Sequence, residues 1–284
     1  MLASAALLVS AAATVRAAPS LRVDFIDVGQ GDAILIPSPV GKTVLIDGGP
    51  RRSARALTTF LAAHTHGALD LILLTHRHED HLGGLAAAVN AIGARMFLDA
   101  PTPHPSPAYT SLLHALESRG VAVRQATRGR VVDLGGGAIL TLLGPPTPAI
   151  EGSRSDVNAN SVVTRLTFGK FALLLAGDAE APTEAWLLES GARLGSAVLK
   201  VAHHGSRYAS SARFLAAVSP QLAVISDGAG NSFGHPAEET LARLARTGAT
   251  VYRTDVDGTV TIETDGTSIH VRAADGARDS VNVR

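Results

Sequence analysis

Cysteine is missing from the 284-residue chain. Its absence excludes disulfides, thiolate zinc sites and a cysteine nucleophile, so any metal must be held by nitrogen and oxygen ligands. An excess of either charge is missing too. Lys+Arg and Asp+Glu stand at 25 each, so no global basic field announces a nucleic-acid binder, although a local basic groove stays open. Beyond the first 20 residues, no apolar run is long enough to cross a bilayer. What is present is a chain with 46% hydrophobic and 18% charged residues, enough for a large core in one large domain or two small ones.

Residues 1–20, MLASAALLVSAAATVRAAPS, are apolar and rich in small residues, with Val15-Arg16-Ala17-Ala18 offering a cleavage site. The stretch resembles a secretory signal peptide, although no Lys or Arg precedes its alanine-rich core. As a signal it predicts a secreted or periplasmic protein; if it is not a signal, the protein is cytoplasmic.

The chain is organised around residues 71–84, LILLTHRHEDHLGG. Four branched apolar residues in a row read as a strand covered on both faces. They end in His76-Arg77-His78-Glu79-Asp80-His81, and Leu82-Gly83-Gly84 opens an Ala-rich helix. A strand end leading through a loop into a helix is where α/β proteins place their chemistry. Imidazoles and a carboxylate suit zinc, manganese or iron. Alternate residues on an extended loop point the same way, so His76 and His78 can grip one ion while Asp80 and His81 turn toward a second.

The same grammar recurs. Residues 21–46 read as three short strands in an antiparallel meander, with a turn at Gly29-Gln30-Gly31-Asp32. Asp47-Gly48-Gly49 closes the third strand as a turn, or as an Asp that orients a metal-ligating His. Residues 171–176, FALLLA, end at Gly177-Asp178, and residues 197–202, AVLKVA, end at His203-His204. Asp178 is placed to bridge two metals; at least one of His203 and His204 is a ligand, and periodicity does not say which. His235, in Gly-His-Pro, either opens a helix structurally or faces the site. His64, His66, His104, His114 and His270 lack such context and read as structural or solvated.

His76 to His81 match the HxHxDH signature, and on it the chain resembles the metallo-β-lactamase superfamily. More narrowly, it resembles the soluble domain of ComEC-type DNA-uptake proteins in FIDVGQGDAILI (25–36), VLIDGG (44–49), NSVV (160–163), LLAGDAE (174–180), LKVAHHGS (199–206), Gly234–Pro236 and YRTDVDG (252–258). The resemblance implies an α+β fold, the αββα four-layer sandwich, over residues 21–270, followed by a polar tail over 271–284. It implies a site for two divalent ions, zinc or manganese. His76 and His78 would hold the first, Asp80 and His81 the second, with Asp178 bridging and the His203-His204 pair closing the second site. The further His that such families often carry before the bridging Asp is absent; NANS (158–161) occupies that region, which leaves the first ion a ligand short. The implied activity is a metal-dependent hydrolase, a phosphodiesterase or nuclease acting on DNA, with Asp80 orienting the attacking hydroxide and His204 or His235 binding phosphate or protonating the leaving oxygen. A hydrolase of lactones, thioesters or β-lactams and a non-catalytic nucleic-acid-binding module are the alternatives. ComEC proper carries a multi-helix membrane channel, and this chain reads as the hydrolase domain alone. Oligomeric state is not legible.

Overall fold

The computed structural model describes residues 20–284; the leader expected over residues 1–20 therefore lies, apart from Ser20, outside the described residues. The first three strands, β1 (Leu21–Phe25), β2 (Ile34–Pro37) and β3 (Thr43–Ile46), form the expected antiparallel meander. The sheet then turns parallel through β4 (Leu71–Leu73), β5 (Met96–Asp99) and β6 (Ala122–Gln125). Parallel neighbours need crossovers. These are supplied by α1 (Ala54–His64), the short α2 (Glu79–Leu82) with α3 (Leu85–Ala91), and α4 (Pro107–Ser118). Each long crossover buries one apolar stripe: Leu57 and Leu61 in α1, Leu85, Ala88 and Val89 in α3, Leu112 and Leu116 in α4.

The second sheet repeats this order. Antiparallel β7 (Val131–Gly135), β8 (Ala138–Leu142), β9 (Thr164–Phe168) and β10 (Phe171–Leu175) are followed by parallel β11 (Val198–Lys200), β12 (Leu222–Ile225) and β13 (Thr250–Arg253). Helices α5 (Asp156–Ala159), α6 (Ala181–Glu189), α7 (Ala212–Val218) and α8 (Glu238–Ala245) join its strands, and α9 (Thr254–Asp257) follows β13 on the way back to the first sheet. The chain then returns to the first sheet with β14 (Val260–Thr264), antiparallel to β1, and adds β15 (Ser268–Ala273) and β16 (Arg278–Asn282). The two sheets run β16-β15-β14-β1-β2-β3-β4-β5-β6 and β13-β12-β11-β10-β9-β8-β7.

Period-two alternation decides the layering. In β10, Phe171, Leu173 and Leu175 enter the core shared with the first sheet, while Leu174 and Ala176 join a second core with α6, α7 and α8. In β12, Leu222 and Val224 face the first core, Ala223 and Ile225 the second. The result is helix, sheet, sheet, helix, the αββα sandwich that the sequence implies. Among the described residues no helix is long and apolar enough to cross a membrane.

One expectation is corrected. Residues 271–284 are not a tail: 271–273 complete β15 and Arg278–Asn282 forms the edge strand β16, in register Val271↔Asp279. The stretch reads as polar because β16 borders solvent, and only alternate residues of β15, Ile269 and Val271, are buried.

Leu73 is fully buried in β4, paired with Ile46 and Leu98, at the root of the HRHEDH loop. Leu73→Ala should lower the unfolding free energy by about 2–5 kcal/mol through lost transfer energy and the cavity left behind. Urea titration followed by circular dichroism reads this, and a loss under about 1 kcal/mol would contradict the packing.

Candidate metal centre

Both halves of the sandwich deliver strand ends to one point. From the first sheet, β4 ends into Thr75-His76, and α2 begins just past His78, its extended N-cap, so Asp80 and His81 sit in its first turn. From the second sheet, β10 ends at Leu175 and leads through Ala176 to Gly177-Asp178, and β11 ends at Lys200 and leads through Val201 and Ala202 to His203 and His204. The loop after β12 brings His235.

Asp80, His81, Asp178 and His204 each offer a ligand atom, all within 4.8 Å of one another. His81 Nε2 lies 3.2 Å from Asp178 Oδ1, and His204 Nε2 lies 3.3 Å from Asp80 Oδ2 and 3.7 Å from Asp178 Oδ2. His76 Nε2 lies 3.6 Å from Asp178 Oδ2, and the His78 ring stands 4.8 Å from the His76 ring. His76 and His78 thus lie next to the four-donor group and outside it. His203 divides from His204: its Nδ1 meets Glu180 Oε1 at 3.0 Å, and its Nε2 is 3.7 Å from Asp178 and 3.5 Å from the Asn158 amide. His235 is farther out, its ring 5.5 Å from that of His203 and 6.4 Å from that of His204.

The donor set fits a divalent cation. His76 Nε2, His81 Nε2, His204 Nε2 and Asp178 Oδ1 are all buried without a hydrogen-bond partner. A buried polar atom left unpaired costs about 1–3 kcal/mol, and three such nitrogens gathered around one carboxylate are what a cation would satisfy. The other ring nitrogens are all engaged. His81 Nδ1 donates to Asp47 Oδ2 at 2.8 Å, His204 Nδ1 donates to the Ser226 carbonyl at 2.8 Å, and His76 Nδ1 contacts Thr75 Oγ1 at 3.1 Å. Those bonds leave each Nε2 lone pair facing the cluster. Asp47 therefore has the orienting role, and the turn besides: its φ is +58°, and it also accepts from Thr75 N at 2.7 Å and Thr75 Oγ1 at 2.6 Å.

Electrostatics agree with that reading. Burial alone would raise the Asp178 carboxyl, but the imidazoles of His81, His204, His203 and His76 outweigh it and hold the group well below the usual carboxylate range. Burial likewise opposes charge on His81 and His204, yet Asp178 foremost raises both above an ordinary imidazole. His235 goes the other way: burial and then the neighbouring His203 and His204 push it down to about 4, which leaves a neutral ring at pH 7.

Five residues escaped the sequence reading or were given no role by it. Asp32, in the Gly29-Gln30-Gly31-Asp32 turn, ion-pairs with the fully buried Lys200, and its Oδ1 is 3.6 Å from His204 Nδ1. Asp32, Asp47 and His81 form a second close group, but here the cation is already present as the Lys200 ammonium. The turn is a clamp: Asp32 N donates to the Asp80 carbonyl at 3.2 Å, and a Cβ on Gly31, whose φ is +141°, would lie 2.2 Å from that oxygen. Glu180 holds His203, and half-buried His104, expected to be solvated, sets its ring edge-on 5.1 Å from that of His78. One signal was available: a lysine inside the apolar run AVLKVA has to find a buried partner.

The sequence profile of the Metallo-beta-lactamase superfamily matches residues 26–226, and the chain belongs to that superfamily. It is 29% identical over 255 residues to ComE operon protein 3 of Bacillus subtilis, covering 84% of this chain and 32% of that protein. It is 31% identical over 234 residues to competence protein ComA of Neisseria gonorrhoeae, covering 82% of this chain and 30% of that protein. The chain thus spans about a third of the length of the relatives it matches. Among solved structures, the metallo-beta-lactamase fold protein YhfI from Bacillus subtilis superposes with a TM-score of 0.55 at 11% identity, over 86% of this chain and 100% of that one, a likeness of fold.

Asp47→Asn keeps the shape and tolerates the positive φ, but opposes an amide N–H to His81 Nδ1–H. Zinc or manganese affinity, read by isothermal titration, should fall about 10- to 100-fold. Unchanged affinity would remove Asp47 from the site.

Proposed function

We propose that this member of the metallo-beta-lactamase superfamily is a metal-dependent phosphodiesterase whose substrate is DNA. The observation that carries the reading is the group Asp80, His81, Asp178 and His204, with its partnerless buried nitrogens turned inward. The DNA half is supported by relatives whose names place them in competence and recombination, processes that handle DNA.

Asp80, His81, Asp178 and His204 would hold one divalent ion, and His76 and His78, with Asp178, would hold a second; nitrogen and oxygen donors of this kind suit zinc or manganese. Bound divalent ions supply Lewis acidity toward phosphoryl oxygens and lower the pKa of water toward neutrality. The chain's own groups do the rest. Asp80, the donor whose side chain is 31% exposed, is the carboxylate open to the solvent side, placed to orient the attacking oxygen. Neutral His235 acts as a hydrogen-bond donor to a phosphate oxygen, since a ring that titrates near 4 carries no spare proton at pH 7. The His203 ring, aligned by Glu180, keeps its Nε2 toward the cluster.

Bis-p-nitrophenyl phosphate and an oligonucleotide should both be hydrolysed with added manganese or zinc, and EDTA should abolish turnover. Asp178→Ala and His81→Ala should each lower kcat/KM by about 100-fold or more, as loss of charge stabilisation in a dry site does. Turnover of a lactone, thioester or β-lactam without phosphodiester cleavage would overturn the substrate class. DNA binding untouched by both variants, without turnover on any metal, would make the protein a binding module.

A further inference from the structure

Seven phenylalanines, three tyrosines and one tryptophan make up only 4% of the chain. All of them lie among the described residues, and just two are exposed, Tyr208 at 45% and Phe233 at 67%. Both lie close in sequence to the site residues, Tyr208 four residues after His204 and Phe233 two before His235. The Phe233 ring lies 6.0 Å from that of His235 at an interplanar angle of 25°, and His235 in turn is 5.5 Å from the His203 ring. Tyr208 follows the His203-His204 pair and lines a 420 Å³ cleft together with Glu180, the carboxylate that holds His203. Each ring is thus linked to His203 through one intervening residue, Phe233 through His235 and Tyr208, across its cleft, through Glu180.

Neither ring sits on a loose loop. Beside Tyr208, Arg243 donates to the Ala209 and Ser210 carbonyls at 2.9 Å each, and the Glu184 carboxylate accepts from Ser210 N and, at 2.9 Å, from Ser211 N. Beside Phe233, Asn231 Oδ1 accepts from Phe233 N at 3.0 Å and from His235 N at 3.2 Å, while Asn231 Nδ2 donates to the His235 carbonyl at 2.6 Å. Leaving an aromatic ring in water forgoes about 25 cal/mol per Å² of apolar burial. Two rings on anchored backbone are thus presented to solvent near the site.

Cations accompany them. The Arg154 guanidinium lies 3.8 Å from the Tyr208 ring centroid, and the exposed Arg207 side chain, among the described residues, is tied only by a 3.5 Å ion pair to exposed Glu239, a pair that water and salt screen. With Arg154 stacked on Tyr208 and His235 beside Phe233, the exposed remainder of each ring, next to arginines, matches a strand of stacked bases with a phosphate at each step. A duplex does not offer that match, because its base faces are occupied within the stack.

Resting on the phosphodiesterase reading, we infer that Tyr208 and Phe233 are base-stacking platforms beside the metal centre, that Arg154 and Arg207 take the flanking phosphates, and that the substrate is single-stranded DNA. Two measurements on the full, manganese-loaded protein separate this inference from the reading beneath it. Hydrolysis of bis-p-nitrophenyl phosphate tests the metal centre without bases, and its failure overturns the phosphodiesterase reading. Fluorescence anisotropy with a labelled phosphorothioate oligonucleotide tests the platforms without turnover. The single strand should bind more tightly than the duplex; Tyr208→Ala and Phe233→Ala should each weaken it about 5- to 150-fold, and Tyr208→Phe should restore it. The alanine variants should lose far more on the oligonucleotide than on bis-p-nitrophenyl phosphate. Equal affinity for single strand and duplex, or alanine variants that bind as the parent does, would overturn the platforms. Unchanged melting temperatures confirm that such exposed positions leave the fold intact.

Discussion

A single buried carboxylate sets the terms for the molecule. Asp178 is 2% exposed, and the Nε2 atoms of His76, His81, His203 and His204 all come within 3.7 Å of its oxygens. Two of those histidines hang from the first sheet and two from the second, so the cluster exists only if β4 and β10 end at the same depth on the same side of the sandwich. The interlocked core between the sheets enforces this, because Leu173 and Leu175 pack against the layer that carries Leu73. The Asp178 loop is seated to match: Asp178 N donates to Ser161 Oγ at 3.3 Å, and the space in front of Gly177, whose φ is +52°, is closed by Thr75 and Ser161 at 3.2 Å. A residue with a Cβ would have to push those two aside.

Charge imposes the next layer. Asp32, Asp47, Asp80 and Asp178 gather around two of the same histidines, and such a group of carboxylates is costly without cations. Lys200 answers part of that demand from within the fold. It occupies the position in β11 that faces the space between the sheets, alternating with Leu199, which faces the outer core, and it ion-pairs there with Asp32 from the opposite sheet. Removing one partner of a buried pair leaves an uncompensated charge, typically a loss of about 3–5 kcal/mol. The pair therefore fixes how the two halves sit together as well as the charge beneath His204.

What could be read from the residues follows from where information is local. The HRHEDH loop, the strand ends at Asp178 and His203, and the two-sided strands were legible, because metal donors and apolar runs are patterns in one stretch of chain. Asp47 could be read only as a choice between turn and ligand-orienting Asp, and the structure shows the positive-φ turn together with a hydrogen bond from His81. Partners from distant stretches were not legible: nothing in Gly29-Gln30-Gly31-Asp32 says that its Asp meets Lys200, and nothing in a proline-rich loop says that His104 rests on His78. The C-terminal strands were missed because an edge strand with one wet face carries too few apolar residues to announce itself.

The choice between His203 and His204 shows why periodicity could not decide it. Both residues have left-handed backbone, φ +48° and +50°, a conformation that carries a penalty of about 1–3 kcal/mol for each non-glycine residue. Two such residues in succession turn the chain so sharply that adjacent side chains no longer point to opposite faces, as they would on a strand. His204 drops into the interior at 1% exposure and faces Asp80, while His203 stays partly open and faces Glu180 and Asn158. The turn is held by His203 N donating to the Gly177 carbonyl at 3.0 Å, Ser206 N donating to the His203 carbonyl at 2.7 Å, and the His204 bond to Ser226. Its first bond reaches back to the residue before Asp178, so the strained pair and the central carboxylate are set by one local structure. Strain of this size persists where the surroundings over-determine it, and here they do so to let two neighbouring imidazoles approach one carboxylate from different directions.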